Sequence, residues 1–142
     1  MSTTVGFVIV SHSPASPAVT LCRDLADLYG NPPIALHHDT TQCALDTTAL
    51  PSCVSVVTPS VATGWGTMGV VRATIRALSV LYARPDAPEW FALLTESCYP
   101  IAPPAVVRAE LAAVNADVLL DHQRIGYADQ PAPAWDVMPP LG

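Results

Sequence analysis

The residues best suited to chemistry in this 142-residue chain follow short apolar runs. In the segment WFALLTESCYP, residues 90–100, five apolar residues lead directly into Thr95, the carboxylate of Glu96 and the hydroxyl of Ser97. The chain has only three glutamates, and a carboxylate can take a proton from a hydroxyl group as a general base. Two other apolar runs end in the same way, one at Ser11-His12 and one at His38-Asp39.

Strands and helices must place these polar groups. VGFVIV, residues 5–10, is a short apolar run rich in β-branched residues, which is typical of a strand buried on both faces in a parallel sheet. Further strands are predicted at residues 33–37, 54–57, 90–94 and 118–120. The strand at residues 90–94 is also expected to be buried, and residues 40–53 are predicted to be a loop. Strands that alternate with helices predict an α/β fold with a mostly parallel sheet of about five strands.

Three helices are predicted from apolar residues spaced three and four apart. The first begins at Ser16-Pro17 and ends at Gly30. The second follows Gly64-Trp65-Gly66, and its apolar stripe is expected to lie on the sheet. The third covers residues 104–114. The inward residues are predicted to be Ala18, Leu21, Cys22, Leu25 and Leu28 in the first helix, Met68, Val71, Ile75, Leu78 and Tyr82 in the second, and Val107, Leu111 and Val114 in the third.

The polar groups all come directly after strands. Because the carboxyl ends of parallel strands lie along one edge of a sheet, these groups are expected to converge there. Open α/β sheets bind ligands in the crevice at that edge, where the strand order switches. A competing interpretation is that Ser11, His12, His38, Asp39 and Glu96 only cap helices or accept hydrogen bonds from backbone amides.

Other kinds of site are less well supported by the sequence. His12, His37, His38 and Asp39 could form a metal site, but adjacent strand residues point to opposite faces, so His37 and His38 do not easily share one ion. We therefore expect no metal site. Cys98 with a histidine base could act as a nucleophile in a thiol hydrolase, although no spacing favours it. Trp65 could stack on a sugar or base, or anchor a turn.

Composition excludes several classes of function. The net charge is −6, there is no lysine, and the six arginines are scattered, so binding of nucleic acid through its phosphates is not expected. No apolar run is long enough to cross a bilayer, and no basic residues mark a signal peptide, so we expect one soluble, cytoplasmic domain. The four cysteines lack metal or disulfide spacing and are expected to be mostly buried thiols.

Four segments together resemble the core-2/I-branching β-1,6-N-acetylglucosaminyltransferase family, glycosyltransferase family 14, which includes the peptide O-xylosyltransferases. They are the strand ending in Ser11-His12, ALHHD at residues 35–39, GWGTMGVVRATIRAL at residues 64–78, and WFALLTESCYPI at residues 90–101. The last is the most specific, since plant-type members have a closely similar motif. The resemblance covers most of residues 5–121 and corresponds to the amino-terminal half of a typical member.

The resemblance implies a GT-A-like, Rossmann-like fold that is truncated relative to the family. It also implies an inverting, UDP-sugar-dependent transferase that needs no cofactor or obligatory metal and acts on a carbohydrate or other hydroxyl acceptor. The residues that would bind the donor are Ser11, His12, His38, Asp39, Trp65 and Gly66, with Ser97 and Tyr99 on the acceptor side. Glu96 is the candidate catalytic base within this chain.

The sequence departs from the family pattern in its catalytic groups. The family's catalytic glutamate and the basic residues that neutralise the leaving diphosphate lie in its carboxyl-terminal half, and Arg124 is the candidate here only by position. The alternative is a non-catalytic module that binds a nucleotide, a sugar or a protein. The predicted organisation is a nucleotide-sugar-binding domain at residues 1–126 and a proline-rich arm at residues 127–142, with a homo-oligomer or a partner chain left open.

Overall fold

The structure is a computed structural model that describes residues 3–14 and 16–120, without the side chain of Ser16. The predicted domain boundary at residue 126, the arm and Arg124 lie outside these residues. The elements are β1 (Val5–Ser11), α1 (Ser16–Tyr29), β2 (Ile34–His38), β3 (Val54–Val56), α2 (Gly69–Tyr82), β4 (Trp90–Thr95) and α3 (Pro104–Ala113).

The four strands form one sheet in the order β3-β2-β1-β4, and every pair is parallel. This confirms the predicted α/β fold with helices flanking a parallel sheet. β1 lies between β2 and β4, so the strand order switches beside it. In Rossmann-like sheets the crevice next to such a switch is where ligands bind.

A fifth strand at residues 118–120 was predicted, and the structure contradicts it within the described part of the chain. Val118, Leu119 and Leu120 are exposed and form no bridge to another strand. A strand depends on ladder hydrogen bonds to a neighbour, and a run of three apolar residues does not provide them by itself. The sheet of the described residues therefore ends at β4.

One face of the sheet packs against α1, and α3 adds to this side. The core here joins alternate β1 residues, among them Phe7 and Ile9, to Leu21, Cys22 and Leu25 of α1, as the helical spacing predicted. Leu28 was also predicted to face inward, but it is 48% exposed because it lies outside the arc of α1 that meets the sheet. α3 covers this side only partly, with Val107, Leu111 and Val114 half-buried.

α2 packs against the opposite face, but through a different side from the one predicted. Its buried residues are Gly69, Ala73, Ala77 and Leu81. Of the predicted stripe only Leu78 packs against the core, while Met68, Val71, Ile75 and Tyr82 are exposed. The reason is steric, since a Cβ at Gly69 would collide with the carbonyl oxygen of Ala62. Small residues allow the helix backbone to approach the sheet and the loop before it.

β4 was expected to be a buried strand, and the structure contradicts this too. Its residues alternate between half-buried and exposed, with Phe91 40% and Leu93 52% exposed. The cause is its position at the end of the sheet, because α2 packs mainly on β1 and β2 and meets β4 through Tyr82, whose ring contacts that of Phe91 edge to face. In residues 3–14 and 16–120 no helix is both long and apolar enough to cross a membrane.

Candidate functional site

The predicted site residues lie along the carboxyl edge of the sheet. In the strand register Ser11 is opposite His38, and Val10 is opposite Thr95. The backbone N–H of Asp39 also donates to the carbonyl oxygen of Ser11, at 2.9 Å. Because β1 lies between the other two strands, Ser11-His12 are flanked by Asp39 on one side and by Glu96 on the other.

Glu96 connects the end of β4 to the loop between β1 and α1. Its Oε2 accepts hydrogen bonds from the backbone N–H groups of His12, at 3.2 Å, and Ser13, at 3.3 Å. Its Oε1 lies 3.7 Å from Nδ1 of His12, whose side chain is 57% exposed. Desolvation acts to raise the pKa of Glu96, but the hydrogen bonds from Ser13 and His12 outweigh it and lower the pKa. Glu96 is therefore ionised at neutral pH.

Ser11 and His38 are buried and bonded to each other. Nε2 of His38 lies 2.9 Å from the carbonyl oxygen of Cys43, which can only accept, so this nitrogen carries a proton. In the neutral ring Nδ1 then accepts from the Ser11 hydroxyl at 2.8 Å. The pair lies under the edge and fixes the loop that carries Cys43, rather than facing solvent.

Asp39 is fully buried and is the centre of a dense hydrogen-bond network. Oδ1 accepts from the backbone N–H and the hydroxyl of Thr41, at 3.0 and 2.6 Å. Oδ2 accepts from Gln42 at 2.7 Å and from the N–H and hydroxyl of Thr63 at 2.6 and 2.9 Å. Burial alone would raise the pKa of Asp39, but these donors hold it well below its usual range. Asp39 thus ties the loop after β2 to the loop before α2.

His37 and His38 point to opposite faces, as expected for adjacent strand residues. Nε2 of His37 accepts the backbone N–H of Val61 at 2.8 Å, on the side of the sheet where α2 lies. Burial lowers the pKa of His37, although Asp39 partly opposes this shift. Within the described residues no group of three or more His, Cys, Asp or Glu side chains could hold a metal ion.

Trp65 and Gly66 form a protruding turn before α2. Trp65 is 99% exposed, and Gly66 has a φ of 71°, a left-handed conformation that glycine adopts without strain. Nothing in the described part of the chain anchors the indole, so its predicted role in stacking remains a prediction.

The residues predicted for the acceptor side are also accessible. Ser97 is exposed and its hydroxyl lies 3.0 Å from that of Thr95, while Tyr99 is 68% exposed. Cys98 contacts Thr95 through its sulfur, so the described residues do not pair it with a histidine. All four cysteines are free, with Cys22 and Cys53 buried and the other two intermediate.

The structure places Asp39 and Glu96 on one edge, on either side of Ser11-His12. A cavity of about 770 Å³ lies beside β4, lined mainly by apolar residues and by Tyr99 and Pro100. Neither carboxylate lines it. The exposed side chains near this edge are those of His12, Trp65 and Ser97.

Sequence reasoning missed the residues that hold the two carboxylates, namely Ser13, Thr41, Gln42 and Thr63. The contact between Asp39 and Thr41 could have been predicted, because Asp-x-Thr is a common turn in which the carboxylate accepts a hydrogen bond from the backbone N–H two residues ahead. Asp46 and Thr48 form the same turn. Thr63 lies 24 residues from Asp39, and no local pattern connects them.

The sequence model of the Core-2/I-Branching enzyme family matches residues 33–128. The chain belongs to this family. The matched segment includes Asp39, Trp65 and Glu96, and the membership implies a glycosyltransferase domain. No curated protein and no solved structure matches the chain.

Proposed function

We propose that the chain is the nucleotide-sugar-binding part of an inverting glycosyltransferase that transfers a sugar from a UDP-sugar to a hydroxyl acceptor without a metal ion. The observation that supports this most directly is the family match over residues 33–128, together with the convergence of the matched polar segments on the carboxyl edge beside β1. That is the edge at which parallel α/β sheets bind nucleotides.

In this proposal the donor residues have two kinds of role. His12 and Trp65 are exposed and contact the donor, with the indole stacking on the base or sugar. Ser11, His38 and Asp39 are buried, and they act by fixing the loops from which the exposed residues project. Gly66 provides the turn that presents Trp65.

Glu96 is the proposed acceptor-side base, next to Ser97 and Tyr99. It is ionised at neutral pH, as a base must be, and its Oε1 has no N–H donor within the described residues. The two amides on Oε2 reduce its affinity for a proton, which makes it a weak base. If Glu96 acts only by holding the loop after β1, Glu96→Gln will change donor affinity without moving the pH profile of transfer.

Calorimetry with UDP, UDP-N-acetylglucosamine and UDP-xylose tests the proposal. We expect saturable binding by the wild-type protein and much weaker binding by Trp65→Ala. Absence of heat at millimolar ligand, with a folded protein by circular dichroism, would contradict a donor site on this edge.

The second candidate function is a non-catalytic module that binds a nucleotide or sugar. The lowered pKa of Glu96 favours it, since a carboxylate held by two amides serves structure well and catalysis poorly. UDP binding by both the wild-type protein and Glu96→Gln, with no donor hydrolysis or sugar transfer by either, would select this function over the first.

A further inference from the structure

Gln42, in the loop after β2, is an exposed residue whose amide nitrogen is nevertheless bonded to buried groups. Its Nε2 donates to Oδ2 of Asp39 at 2.7 Å, and it lies 3.2 Å from the carbonyl oxygen and 3.3 Å from the hydroxyl oxygen of Thr63. Asp39 and Thr63 are both buried. The amide group of Gln42 therefore joins the two loops that meet at this part of the carboxyl edge, the loop after β2 and the loop before α2.

These contacts determine which way round the amide group lies. The carboxylate of Asp39 is ionised because its pKa is held well below the usual range, and the backbone carbonyl of Thr63 has no hydrogen, so both groups only accept. The atom that faces them must then be the NH₂ group of Gln42, whose two hydrogens are both used. Oε1 of Gln42 accepts no hydrogen bond from residues 3–14 and 16–120. It is an acceptor of fixed orientation on a residue that is open to solvent.

The two loops that hold this amide group are joined by further hydrogen bonds. The hydroxyl of Thr40 lies 2.6 Å from that of Ser60, and Thr63 donates both its N–H and its hydroxyl to Asp39. A glutamine side chain that moves freely in solvent loses rotamer freedom when a ligand fixes it, and this loss weakens binding. The folded protein has already fixed the amide group of Gln42, so a ligand can bind to its oxygen with little further loss of entropy.

The position of this acceptor relative to Trp65 indicates what it would recognise. Trp65 comes two residues after Thr63 and, under the proposed function, stacks on the base of the donor. Stacking tolerates every base because each has a π face, so the choice of base requires a contact with its edge. Uracil presents two carbonyl oxygens and one N–H donor, at N3. A protein acceptor that reads uracil by a hydrogen bond must therefore meet this N3–H group.

We propose that Gln42 selects the base of the donor nucleotide, with its Oε1 accepting the N3–H of uracil while Trp65 stacks on the ring. This inference rests on the proposed function and adds a base specificity to it. Asp39 was predicted from the sequence to bind the donor, but its oxygens already accept five hydrogen bonds, and recognition passes to the residue that it holds. Cytosine has no hydrogen on N3, so a cytidine nucleotide would place an acceptor against Oε1.

Calorimetry with UDP and with 3-methyl-UDP, in which a methyl group replaces the hydrogen on N3, tests this contact in the full chain. Wild-type protein should bind UDP at least about tenfold more tightly than 3-methyl-UDP. In Gln42→Lys the ammonium group can still donate to Asp39 and Thr63, but it offers no acceptor. The ratio of the two dissociation constants should then fall to within about twofold. Both ligands carry the same diphosphate, so the effect of the added charge cancels in this ratio.

Thr40→Val is the matched control in the same loop. It removes the hydroxyl contact with Ser60 and leaves the contacts of the Gln42 amide in place. The preference for UDP over 3-methyl-UDP should therefore persist in Thr40→Val. A loss of this preference as large as that in Gln42→Lys would show that it depends on the general order of the loop, and would overturn the assignment to Gln42.

The remaining outcomes separate this inference from the proposed function. No binding of UDP by the folded wild-type protein would overturn the proposed function and the role of Gln42 with it. If wild-type protein binds UDP and 3-methyl-UDP equally, or if Gln42→Lys keeps the tenfold preference, the role of Gln42 alone is overturned and the donor site stands. If Gln42→Lys instead abolishes a preference for UDP over 2′-deoxy-UDP, Oε1 accepts from the ribose, and the assignment to the base is overturned.

Discussion

Asp39 and Glu96 occupy equivalent places at the ends of two strands that flank β1, yet their surroundings differ. Asp39 is fully buried and accepts five hydrogen bonds, from Thr41, Gln42 and Thr63. Glu96 accepts two, from backbone amides, and its side chain remains 12% exposed. A carboxylate whose acceptors are all used can only support structure, whereas one with a free oxygen can also meet a substrate.

The largest expected effect is on Asp39. Asp39→Asn places an amide among five donors, so at least one buried donor loses its acceptor, and we expect a loss of about 3 kcal/mol in the free energy of unfolding. Urea denaturation measures it. Asp46→Asn is the matched control, since Asp46 forms the same Asp-x-Thr turn on the surface and should lose much less. Equal losses in the two variants would show that the buried network around Asp39 contributes no more stability than the exposed turn at Asp46.

Glu96→Gln should affect ligand binding more than stability. The glutamine oxygen can take the place of Oε2 and accept both backbone N–H groups, but without the negative charge, so we expect a loss of about 1 kcal/mol in the free energy of unfolding. Under the proposed function, UDP affinity should change because the loop after β1 is held less tightly. Glu89→Gln provides the control, because Glu89 accepts a backbone N–H at the opposite end of the same strand. Equal changes in UDP affinity would remove the functional distinction between the two ends.

The pH dependence of stability should separate His37 from the carboxylates. Burial lowers the pKa of His37 in the folded protein below the value of about 6.5 that it has in the unfolded chain. Its contribution to the free energy of unfolding is therefore complete above about pH 6.5 and is lost as the pH falls below that value. The pKa values of Asp39 and Glu96 are also lowered, and their contributions are lost only below about pH 4. Thermal unfolding from pH 8 to 3 should show two phases.

His37→Gln should remove only the first of these phases. The glutamine oxygen can accept the N–H of Val61 as Nε2 of His37 does, so the loop before α2 should keep its position. Persistence of the first phase in this variant would assign it to another group.

Trp65→Ala should have the smallest effect on stability, within about 0.5 kcal/mol, because the indole is exposed. Its expected effect on donor binding is much larger, since stacking of an aromatic side chain on a base contributes about 1–3 kcal/mol. Calorimetry and thermal unfolding of one sample give both quantities. A large loss of stability would mean that Trp65 anchors a turn, which was the alternative interpretation from the sequence.

The sheet was predictable from the sequence because its signal is local. VGFVIV and the other short apolar runs identify strands, and the helices after β1 and before β4 indicate parallel pairing, although β2 and β3 are parallel with no helix between them. Parallel pairing then places the carboxyl ends of the strands along one edge, which is why Ser11, Asp39 and Glu96 were correctly predicted to lie at the same edge of the sheet. The contacts of Asp39 with Thr63 depend on how the loop before α2 folds back, and residue spacing does not encode that.

The side of α2 that packs on the sheet was predicted wrongly for a physical reason. The most hydrophobic residues of the helix, such as Val71 and Ile75, form a regular stripe, whereas the packed side consists of Gly69, Ala73, Ala77 and Leu81. A hydrophobic stripe identifies a surface that avoids water and carries no information about how closely two backbones approach. β4 was misjudged similarly, because its apolar sequence does not tell whether a neighbour lies on each side.

The packing of α2 on the sheet has a consequence for how sequence change can reshape the ligand edge. Gly69 lies directly against Ala62 and Thr63, and Thr63 holds Asp39. A bulkier residue at position 73 or 77 would lift the helix, and the turn bearing Trp65 would move with it. The distance between α2 and the sheet and the position of the turn bearing Trp65 are therefore coupled, and the small residues of α2 that face the sheet set both.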